Sequence, residues 1–86
     1  MPQSLAKILV HIVFSTKQRK RLIARDIREE LHAYLVGVLR NHDSPALLVN
    51  SVDDHVHILC RLSKNHAVKT IVEEAKKSSS KWIKTK

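Results

Sequence analysis

The sequence predicts one small α+β domain with the element order β-α-β-β-α. Two stretches, Lys7 to Thr16 and His55 to about Leu62, alternate side chains at the period of a strand and are rich in β-branched residues. Two others, Asp26 to Asn41 and Ala67 to Ile83, repeat apolar residues at helical spacing. With 86 residues and 43% hydrophobic content, the chain can bury one core and no second one, so residues 1–86 are expected to form a single domain.

The first strand places Ile8, Val10, Ile12 and Phe14 on one face and Leu9, His11, Val13 and Ser15 on the other. Both faces are largely apolar, the pattern of a strand in mid-sheet or covered on both sides. Lys17-Gln18-Arg19-Lys20-Arg21 follows, with four cations in five residues. Such a run suits a solvated loop, and at the end of a strand it suits a phosphate-contacting loop equally well.

The first helix is expected to open on Asp26 and Glu29 as a capping pair. Ile27, Leu31, Tyr34, Leu35, Val38 and Leu39 form its apolar stripe, which makes Tyr34 a core residue rather than a nucleophile. Arg40 and His42 suit the negative end of the helix dipole. Gly37, the only glycine, costs about 1 kcal/mol against alanine in a helix, and close approach of another backbone is the expected reason. Asp43-Ser44-Pro45 makes a turn, and Leu47, Leu48, Val49 and Val52 make the second strand. Ser51 to Asp54 then connects it tightly to the His55 strand. Ser63 to His66 reads as a loop with a helix cap at Asn65 or Ser63. The second helix repeats Val68, Ile71, Val72, Ala75, Ser79 and Trp82 on one face and lysines elsewhere. Its Ser78-Ser79-Ser80 run weakens the helix but permits close packing.

This order is that of a ferredoxin-like (RRM-like) sheet with its final strand missing. In that arrangement the first and third strands are adjacent at the centre and both helices cover one face. Val56, Ile58 and Cys60 then join the core, while His11, His55 and His57 share the open face. His55 and His57 leave the strand on one side, about 7 Å apart. Two imidazoles so fixed can converge on one metal ion. A histidine pair on a half-exposed strand is often plain surface, but a third histidine on the neighbouring strand strengthens the metal reading. RNA-recognition domains carry stacking aromatics on these two strands. Here the positions hold Leu9, His11, Val13, His55, His57 and Leu59, which counts against that module. Two-histidine phosphoesterases need a hydroxyl two residues after each histidine, and both are lacking here.

The net charge of +8 and pI near 10.1 favour a polyanionic partner, nucleic acid first. Cys60 stands alone, which excludes an intrachain disulfide and a thiolate zinc cluster. No apolar run approaches the roughly 20 residues of a membrane helix, and the start lacks the pattern of a signal peptide. A cytoplasmic protein without a membrane partner is expected.

Three blocks together carry a more specific likeness: Val10 to Lys17 with the basic residues after it, Asp54 to Leu59, and Lys77 to Ile83. In this order they resemble the small bacterial insertion-sequence transposases of the His-hydrophobic-His (HUH) class of single-strand nucleases, over nearly the whole chain. The resemblance implies DNA transposition by metal-assisted cleavage and rejoining of single-stranded DNA through one tyrosine. It implies that His55 and His57 hold a divalent ion, magnesium or manganese; the residues beside them add His11 or Asp54 as candidate supplements. Lys17, Arg19, Lys20 and Arg21 are expected to contact single-stranded or hairpin DNA, and the family habit implies a homodimer. The first strand, unpaired on one side without a fourth, and the surface around Gly37 are the candidate interfaces. The family places its tyrosine and a further metal ligand on a later helix, after a fourth strand. The sequence therefore reads as a C-terminally truncated domain, expected to bind DNA and metal without cleaving. The alternative is a non-catalytic nucleic-acid-binding or regulatory module on the same fold, with the histidines as ordinary surface.

Overall fold

The computed structural model describes residues 8–62 and 67–86. Lys7, the Ser63–His66 loop and its expected cap lie outside the described residues. Strand β1 spans Leu9–Ser15, helix α1 Arg28–Asn41, β2 Ala46–Ser51, β3 His55–Arg61 and α2 Val68–Ile83. The sheet is antiparallel with the order β1-β3-β2, and both helices pack on one of its faces. This is the expected ferredoxin-like arrangement. Among the described residues β3 is central, and β1 lies at the edge with its second face uncovered: Leu9 and Val13 are exposed there. The expectation of cover on both sides therefore fails, because the helices fill only the Ile12 side.

The core is aliphatic. Ile12, Val56, Ile58 and Cys60 from the sheet meet Leu31, Leu35 and Leu39 of α1 and Ile71 and Ala75 of α2, with Ile23 closing one end. Ser79 is buried in the same row of α2, and its hydroxyl donates to the Lys76 carbonyl at 3.0 Å.

Several local expectations are corrected. Asp26 lies within a 3-10 turn, Arg25–Ile27, so α1 begins two residues later than read and has no side-chain cap. Arg28 ties that end down instead, through its Nε–H to the Ile23 carbonyl at 3.2 Å and an ion pair with Asp53. Tyr34 is 40% exposed, because Leu31, Leu35 and Leu39 occupy the inner line at four-residue spacing and Tyr34 is rotated off it. Its ring stacks on Trp82 at 6.2 Å between centroids. Nothing lies within 4 Å of a β-carbon built at Gly37, so no backbone approaches it closely. Ile8 and Val68 are exposed, and Val52 lies beyond the end of β2.

Candidate functional site

Strand β3 is two-sided by the strand period. Val56, Ile58 and Cys60 anchor it in the core, which leaves His55, His57 and Leu59 on the open face. The register sets His57 between Val13 of β1 and Asn50 of β2, and sets His55 opposite Ser15. His11 stands diagonally across from His57, with 5.7 Å between ring centroids and planes tilted by 37°. His55 pairs with its chain neighbour instead: its Nδ1 lies 2.7 Å from an Asp54 carboxylate oxygen.

That contact fixes the chemistry of the pair. The hydrogen bond from His55 holds the Asp54 carboxyl below the usual carboxylate range, and the Arg19 cation adds a smaller pull. An ionised carboxylate only accepts, so Nδ1–H of His55 is the donor to Asp54, and Nε2 is the ring nitrogen outside that bond. A carboxylate behind an imidazole in this way is the arrangement that orients metal-binding histidines. Two imidazoles on one strand face are ligands of a type that suits a divalent ion with a largely hydrated shell. Among the described residues no group of three His, Cys, Asp or Glu side chains is gathered to hold a metal. His11 leans on His57 while His55 leans on Asp54, so the three histidines share a face without closing on one point.

The basic loop is fastened beside this pair. The Thr16 N–H donates to the Asp54 carbonyl at 2.8 Å, and the Ile23 N–H donates to the Asp53 carbonyl at 3.0 Å. Both ends of the loop are therefore held on the two residues that precede His55. Within it, Gln18 and Arg19 adopt left-handed backbone at φ 57° and 55°, which is costly away from glycine. The Thr16 hydroxyl, donating to the Lys20 carbonyl at 2.5 Å, and the Arg19 N–H, donating to the Thr16 carbonyl at 3.0 Å, clamp this turn. Lys17, Arg19, Lys20 and Arg21 are all exposed on it.

Sequence reading did not single out Arg25 and Arg28. With Arg21 they line a hollow of about 460 Å³ over Asp53 and Asp54, which extends the cationic surface past the loop. Their spacing in the chain carried no signal, since the fold of the 16–28 segment brings them there. It also missed the pairing of His32 Nε2 with the Ser51 hydroxyl at 2.7 Å across α1 and β2. Burial pushes the His32 pKa down, with nearby Arg28 acting in the same direction.

A family model described as IS200-like transposase matches residues 4–86. A solved chain from Deinococcus radiodurans R1, provisionally described as a transposase, superposes with a TM-score of 0.87 at 18% identity. The match covers 99% of the present chain and 65% of that one, and at this identity the likeness is one of fold. Among curated proteins none matches.

Proposed function

Because the chain belongs to the IS200-like transposase family, we propose that it serves DNA transposition by binding single-stranded or hairpin DNA beside a divalent ion held by His55 and His57. The observation that carries this reading is the fastening of the basic loop to the backbone of Asp53 and Asp54, directly before the histidine pair. Phosphates bound by Lys17, Arg19, Lys20 and Arg21 then lie next to the imidazoles. The chemistry a magnesium or manganese ion supplies when bound is polarisation of a phosphodiester oxygen. Asp54 holds the His55 ring so that Nε2 is presented, and His57 presents its ring from the middle of the sheet.

Tyr34, the only tyrosine, lies on α1 in the layer behind the sheet and stacks on Trp82. No helix among the described residues is long and apolar enough to cross a membrane. The reading places the protein in the cytoplasm with its DNA.

Metal binding separates this reading from a regulatory module whose histidines are ordinary surface. Titration with manganese, followed by NMR, is expected to broaden His55 and His57 well before His32, which is held against Ser51 behind the sheet. Equal broadening of all three would refute the metal site. Two protein ligands leave most of the shell to water, so binding is expected to be weak.

The same reading includes a homodimer. Among the described residues no strand pairs with the outer edge of β1, a strand of apolar, β-branched residues that a second copy can extend. Light scattering over a concentration series is expected to show a dimer mass. A monomer at about 100 times a micromolar dissociation constant would sink the dimer, because an association worth about 8 kcal/mol is saturated there.

A further inference from the structure

We propose that the groove between the end of β1, the basic loop and the C-terminal half of α2 takes up one base of a bound single strand, as a subsite separate from the phosphate-holding loop. The proposal rests on the DNA reading above and adds a place where the base itself is held.

The groove has a volume of about 450 Å³ and lies on the helical side of the sheet. Its floor and walls are apolar: Phe14, Leu22, Ile23 and Ile83 line it. Leu22 is exposed there, while Ile23 is fully buried and makes a fixed bottom. The rim is cationic. Lys17 and Lys20 stand on the loop side, Lys76 and Lys84 on the helix side, and among the described residues no acidic one lines the groove. An apolar slot whose charged lining residues are all lysines, with Ser15, Thr16 and Ser80 also lining it, matches a flat base flanked by phosphates, and lysines repel any cationic occupant. An apolar peptide would leave that charge unanswered.

Its position relative to the histidines supports the same occupant. Ser15 pairs with His55, and the neighbouring Phe14 faces the opposite side of the sheet. The groove and the histidine pair therefore flank one end of an edge strand from its two faces. Lys17 and Lys20 belong to both the loop and the groove, so a strand lying along the loop can set a base behind β1. The open face lacks a stacking aromatic. Phe14, the only phenylalanine, supplies a ring at the groove instead.

The test compares binding of the full chain to an oligothymidine of about 12 nucleotides and to an abasic strand of equal length, which keeps the phosphates and removes the bases. The wild type is expected to prefer the oligothymidine about tenfold, the effect of holding one base. Ser80→Phe fills the groove from an exposed helix position. It is expected to shrink that preference to less than about twofold while affinity for the abasic strand stays unchanged. Leu22→Asn, at an exposed wall, makes the slot polar without a change of charge, should act in the same way and carries the test should Ser80→Phe not fold. A wild type that binds both strands equally overturns the subsite and leaves the DNA reading standing. A preference that survives both variants also overturns it. A change of oligomeric mass in Ser80→Phe with the preference intact overturns it in favour of a second copy as occupant. Failure to bind either strand overturns the DNA reading and the subsite together.

Discussion

Replacing Lys17, Arg19, Lys20 and Arg21 together by alanine is expected to weaken binding of single-stranded DNA by at least about 100-fold at about 50 mM salt. Each phosphate contact to a single strand contributes a slope of about −0.7 to the dependence of log affinity on log salt, so four contacts contribute about −2.8. In the wild type these contacts alone make affinity fall about 50-fold between about 50 and 200 mM salt. The variant should lose that share of the slope, which fluorescence anisotropy across a salt series measures directly. The substitution also lowers the net charge from +8 to +4, since four cations are removed. A control is therefore needed that removes charge elsewhere. Lys69→Ala with Lys81→Ala takes two exposed cations from α2, outside the loop and the groove. Its effect should be no more than about tenfold, the size expected of diffuse charge. Equal losses per charge in the two variants would show that the loop has no special role.

How far the sequence already disclosed this arrangement depends on whether a feature is local. Strand β3 was legible on both faces. Val56, Ile58 and Cys60 alternate with His55, His57 and Leu59, and a period of two leaves no other way to bury the apolar set. The element order followed from the same periodicities, and with it the placing of His11 beside His57. What could not be read is non-local. The basic run was expected beside the histidine face, but not the backbone hydrogen bonds that fasten it there, between Thr16 and Asp54 and between Ile23 and Asp53, partners 38 and 30 residues apart by subtraction of their numbers. Lys76 and Lys84 looked like ordinary solvated helix surface, and only the packing of α2 against the end of β1 turns them toward Lys17 and Lys20. Tyr34 failed for a different reason. A stripe drawn wide enough to hold six residues covers more of the helix than one sheet face can bury, and the ring on its flank went to Trp82.

Because one strand carries both the core and the histidines, Ile58→Ala is expected to be the most damaging single truncation. Ile58 is 0% exposed at the centre of the central strand, pairs with Ile12 and Val49, and lies between His57 and Leu59. Removing three carbons from a site so enclosed costs about 2–5 kcal/mol, the lost burial together with the cavity left behind. A domain of 86 residues has roughly 4–13 kcal/mol in total, so the variant should unfold at a much lower urea concentration with an unchanged slope. Val13→Ala is the matched comparison. Val13 is next to Ile12 and opposite His57, but it is 50% exposed on the open face, and its loss should cost less than about 1 kcal/mol. A loss for Ile58→Ala below about 1 kcal/mol, or one equal to that of Val13→Ala, would mean that β3 is not the keel of the domain. The histidine face would then need some other support, because the rigidity that lets His55 and His57 serve a metal comes from the side chains on the reverse of the same strand.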